Sequence, residues 1–103
     1  MRKLVIMNVT NRGNMLDHCP MNEWPVFQNI NPRVVSIKLG DDMFHLRTLQ
    51  GYSNRGGVNN NMMGRWINQR YGDTHGLKLL FEVTFNEQTQ ELCYNLLGKL
   101  LVL

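Results

Sequence analysis

A chain of 103 residues carrying a net charge of +3 has the length of one domain, 1–103, and lacks the roughly 18 consecutive apolar residues that span a bilayer as a helix, so a membrane partner is not expected. Only 18% of the residues are charged, and asparagine, present 13 times, supplies much of the remaining polar surface. Two cysteines are too few for a disulfide scaffold, and the opening Arg2-Lys3 and "LVIMNV" lack the length and cleavage site of a secretory signal. The expectation is two reduced thiols and a cytoplasmic location.

Lys3 to Val9 is rich in β-branched and long apolar residues and reads as a strand. From Thr10 to Pro32 the pattern dissolves under Gly13, Pro20, Pro25 and Pro32, and it reads as a long ordered loop with room for one helical turn. Arg33 to Leu39 and Met43 to Leu49 flank "GDD", a hairpin signal. On the second arm Phe44, Leu46 and Thr48 alternate with His45 and Arg47, which places the first set toward the core. A Gly- and Asn-rich loop then spans Gln50 to Asn59.

Asn60 to Tyr71 fits a helix capped by asparagine at its start and closed by Gly72. Met62, Met63, Trp66, Ile67 and Tyr71 share one broad arc, opposite Asn61, Arg65, Asn68 and Gln69. Arg70 falls within the apolar arc, and Gly64 weakens the helix. Leu77 to Phe85 reads as a strand, 86–90 as a tight turn and Glu91 to Leu97 as the partner strand, although Leu92, Leu96 and Leu100 also fit helical spacing. Gly98 is expected to bend the chain into "KLLVL". Together these elements predict an α+β fold: an antiparallel sheet of about five strands, open or barrel-like, with one short helix near residues 60–71. The helix is expected to bury Met63, Trp66 and Ile67 against Val35, Ile37, Phe44, Phe81 and Val83.

Charge is placed unevenly. Between Met43 and Tyr71 stand four arginines and no acid, whereas the rest of the chain carries seven basic and eight acidic residues. Such asymmetry suggests an anionic partner. Arginine pairs with phosphates and guanine edges, asparagine and glutamine with adenine, and an exposed tyrosine stacks on unpaired bases. The leading reading is a small non-catalytic module that binds nucleic acid through Arg47, Tyr52, Arg55, Asn61, Arg65, Asn68, Gln69 and Arg70. A solvated helix face behind a surface loop explains the same residues without any ligand.

Two other classes are kept. One is a protein-interaction or self-associating module using strands 77–85 and 91–97 or the terminal "LLVL". The other is a small enzyme or ligand pocket around His45, His75 and the Asp17-His18-Cys19 cluster. A zinc site needs about four ligands at compatible spacing, and no CxxC or HxxxH accompanies these residues. Asp41 and Asp42 suit a hairpin turn for backbone reasons alone. No nucleotide or hydrolase motif is present, so no metal, cofactor or catalytic residue is expected.

Overall fold

A computed structural model describes residues 2–19, 34–46, 57–59 and 61–100. Of the sequence expectations, Arg47, Tyr52, Arg55, the proline-punctuated stretch from 20 to 33 and the final three residues lie outside the described residues.

Among the described residues the elements are, in chain order, β1 (Arg2–Thr10), a 3-10 turn (Asn11–Gly13), β2 (Met15–Cys19), β3 (Val34–Leu39), β4 (Asp42–Leu46), β5 (Gly57–Asn59), α1 (Asn61–Tyr71), β6 (Lys78–Asn86) and β7 (Glu91–Lys99). The strands form one strongly curled sheet in the order β4-β3-β7-β6-β1-β2-β5. The fold is α+β with one short helix, as expected.

The sheet corrects the sequence reading in three places. It is mixed, because β3 and β7 run parallel from Val34↔Glu91 to Lys38↔Asn95, while every other pair is antiparallel. A parallel pair needs a long crossover, and the chain from β4 through α1 and β6 supplies it. Among the described residues it has seven strands, where about five are expected. The additional ones come from stretches read as loop: Asn11-Arg12-Gly13-Asn14 closes a hairpin between β1 and β2, and β5 pairs with β2. Finally, Gly98 lies inside β7 and does not start a separate terminal segment. β7 runs on to Lys99, and the ladder absorbs an irregularity between Leu80 and Phe81.

Alternation along the strands sends one set of side chains into the core: Val5, Met7 and Val9 from β1, Leu16 from β2, Val35, Ile37 and Leu39 from β3, Leu79, Phe81 and Val83 from β6, Leu92 and Tyr94 from β7. Met63 and Ile67 of α1 complete it. Phe81 and Tyr94 meet edge to face, with ring centroids 6.2 Å apart. Met63 and Ile67 share one buried core with Val35, Ile37, Phe81 and Val83, whereas Trp66 and Phe44 are only partly buried at its border. Met62 was placed on the core arc but is 58% exposed. The buried arc is centred on Met63, Gly64 and Ile67, and at about 100° per residue Met62 points to the opposite side of the helix.

Turn chemistry explains the connections. Gly40, with φ 62°, and Asp41 form the two-residue turn between the paired Leu39 and Asp42. Gly72, with φ 72°, ends α1 and donates its N–H to the Asn68 carbonyl. Between β6 and β7 the Asn86 side chain accepts the N–H groups of Gln88 and Thr89, and Gln90 takes φ 57°.

Candidate functional site

The polar flank of α1 does not stand alone. The 3-10 turn packs against it, and Arg12, Asn14, Asn61, Gly64, Arg65, Asn68 and Gln69 line a shallow groove of about 480 Å³. Two glycines permit this approach. Gly13 sits at φ 90°, and a Cβ there would meet the Gly64 backbone and the Ile67 Cβ at 3.3 Å. A Cβ on Gly64 would run into the Asn14 side chain. The glycine that weakens the helix in isolation is therefore what allows the hairpin loop to reach it.

Arg12 and Arg65 are both exposed on this groove, and among the described residues no carboxylate pairs with either. Two uncompensated guanidiniums beside a glutamine and an asparagine give the groove donors in excess. Arg12 was not among the residues nominated from the sequence. It stands far from the arginine-rich segment, and its signal was an arginine inside a glycine-bearing hairpin loop.

The nominated residues divide. Asn61, Arg65 and Gln69 line the groove. Asn68 lines it too, but its amide donates both hydrogens, one to the Arg12 carbonyl and one to the Gly64 carbonyl at 2.7 Å. The bidentate pairing with adenine that its residue type suggested is thus closed to it. Arg70 turns to the other flank of α1. There it lines a second groove of about 610 Å³ with Trp66, Gln69, Tyr71, Asp41 and Asp42. Gln69 borders both grooves.

His45, His75 and Asp17 do not converge. His45 lies on β4 at one edge of the sheet and Asp17 on β2, five strand spacings away, or about 24 Å along the sheet. Asp17 accepts a hydrogen bond from Thr10 Oγ1 at 3.1 Å, and His75 sits in the α1–β6 connection, its N–H bound to Asp73 Oδ1 at 2.9 Å. Among the described residues no cluster of three metal-ligating side chains forms.

His45 does have polar company. Ser36, fully buried on β3, donates its hydroxyl to Glu91 Oε2 at 2.8 Å and lies 3.0 Å from His45 Nδ1. A serine has one hydroxyl hydrogen, so with that hydrogen on Glu91 the imidazole Nδ1–H is the donor to Ser36. An imidazole that donates to the serine cannot take its proton, and the hydroxyl has no solvent access. The trio is a structural clasp joining β3, β4 and β7. Cys93 follows on the same face, with its thiol pushed up by burial and then by the Glu91 carboxylate, against a smaller opposing effect of Lys38. Such a thiol is neutral near pH 7 and a poor nucleophile.

β6 and β7 are inner strands paired on both sides, so neither offers a backbone edge to a second chain. The large apolar side chains exposed among the described residues, Leu4, Met43, Met62 and Leu97, are spread over four elements.

Comparison with protein-family models, with curated proteins and with solved structures finds no match to this chain.

Proposed function

We infer that this protein is a small non-catalytic module that binds nucleic acid along the groove between α1 and the 3-10 turn. One observation supports the reading: Arg12 and Arg65 line the same groove, and among the described residues neither has a carboxylate partner. In this reading Arg12 and Arg65 meet phosphates, and Asn61 and Gln69 contribute hydrogen bonds at the groove wall. Arg47, Tyr52 and Arg55, outside the described residues, remain candidates on residue type alone.

Phosphate contacts release counterions, so affinity should fall steeply with salt. The test is fluorescence anisotropy with labelled single- and double-stranded oligonucleotides at several salt concentrations, for the protein and for Arg12→Ala/Arg65→Ala. Loss of two phosphate contacts lowers the slope of log K against log salt by about 1.4 for a single strand. Absence of binding at low salt overturns the reading. A stable self-assembled oligomer that is insensitive to salt would point to the protein-interaction class instead.

A further inference from the structure

Resting on that reading, we propose that the second groove, between α1, the Gly40–Asp42 turn and the end of β7, is a pocket for a guanine base of a single-stranded nucleic acid. The hairpin loop first restricts the ligand. A helix with its side chains is about 10–12 Å wide and fills a major groove of about 12 Å. α1 carries the 3-10 turn against its polar flank, held by the Asn68 amide on the Arg12 carbonyl, so the pair is broader than the bare helix that a major groove admits. A flexible strand laid across the surface meets no such obstacle.

The path of that strand is marked by Gln69, which borders the basic groove on one side and the second groove on the other. The second groove, about 610 Å³, lies within the usual ~300–1,000 Å³ of ligand pockets. Its lining includes two partly buried aromatics, Trp66 and Tyr71, whose rings meet at 65° with centroids 6.3 Å apart. The Gly40 turn is seated against the Trp66 indole, since a Cβ at Gly40 would lie 3.4 Å from Trp66 Cζ2. Aromatic surface of this kind stacks on a base whatever its sequence.

Charge at the rim selects among bases. Asp41 and Asp42 are exposed there, and a carboxylate only accepts hydrogen bonds. Guanine presents two adjacent donors, N1–H and N2–H, on its Watson–Crick edge. Cytosine and adenine present an amino group beside an acceptor nitrogen, and uracil places its single N–H between two carbonyl oxygens. Guanine alone therefore matches a carboxylate at both oxygens. Arg70, which no ion pair ties to Asp41 or Asp42 among the described residues, offers a donor to the adjoining phosphate.

The experiment compares a twelve-nucleotide uridine oligomer with the same oligomer carrying one central guanine, by anisotropy at fixed salt, and titrates guanosine monophosphate alone. The guanine oligomer should bind about tenfold tighter. Asp41→Asn/Asp42→Asn should erase that preference without lowering uridine-oligomer affinity, which also shows that the variant folds. Equal affinities for the two oligomers, both salt-dependent, overturn the base pocket and leave the basic groove standing. No binding to either removes both readings. Guanosine monophosphate binding more tightly than the guanine oligomer overturns the strand context.

Discussion

The side-chain oxygen of Asn14 occupies the space where a Gly64 side chain would begin: a Cβ at Gly64 would lie 1.8 Å from it and 3.1 Å from the Asn14 backbone nitrogen. In an isolated helix, alanine in place of glycine gains about 1 kcal/mol. Here Gly64→Ala forces the hairpin loop off α1, and overpacking of this kind costs about 1–3 kcal/mol. A net loss of about 1 kcal/mol by urea denaturation is expected. In an Asn14→Ala background the loss should shrink, because the nearest clash is gone.

Asn68 separates structure from recognition. Its amide joins the Arg12 carbonyl to the Gly64 carbonyl across the groove, so Asn68→Ala removes two hydrogen bonds worth about 1 kcal/mol each. Stability should fall by about 1–2 kcal/mol with the salt slope of oligonucleotide binding unchanged. Arg65→Ala should do the reverse, lowering the slope by about 0.7 for a single strand and leaving the urea midpoint nearly unmoved.

Gln90 stands at φ 57° at the end of the β6–β7 turn, a conformation that costs a non-glycine residue about 1 kcal/mol or more. Gln90→Gly relieves that strain but gives the unfolded chain more freedom. The balance should be a gain of about 0.5 kcal/mol in thermal or urea unfolding, whereas a β-branched residue such as valine should destabilise.

Cys93 should alkylate slowly at pH 7–8, because burial and the Glu91 carboxylate both favour the neutral thiol. Glu91→Gln keeps an acceptor for Ser36 and removes the charge, so Cys93 should react faster with iodoacetamide. Lys38→Met should slow it. Peptide mass analysis distinguishes Cys93 from Cys19. The folded state holds this proton more tightly than the unfolded chain does. Its contribution to stability is therefore complete below the unfolded thiol value of about 8.5 and is lost as pH rises through the folded value.

Local pattern carried much of this protein. Alternation identified β1, β3, β4, β6 and β7, and the Gly40 and Gly72 positions were legible because a left-handed residue selects glycine on local grounds alone. The helix was legible from its apolar spacing and its caps, and from it came the placement of Asn61, Arg65 and Gln69 on one face. β2 was obscured because a short strand beside prolines reads as loop, although Asn11-Arg12-Gly13-Asn14 between apolar runs was a hairpin signal.

Tertiary structure alone decided the rest. Strand direction leaves no trace in a period of two, since parallel and antiparallel ladders both alternate inward and outward side chains, so the β3–β7 pairing could not be read. Whether Asn68 recognises a ligand or braces a loop depends on the Arg12 carbonyl, 56 positions distant in the chain. Arg12 and Arg65, which line one groove, are likewise far apart in the chain. Residue types and spacing determine which side chains a helix presents. Which charges meet across a groove depends on long-range packing, here the approach of two glycines, Gly13 and Gly64, that no local pattern encodes.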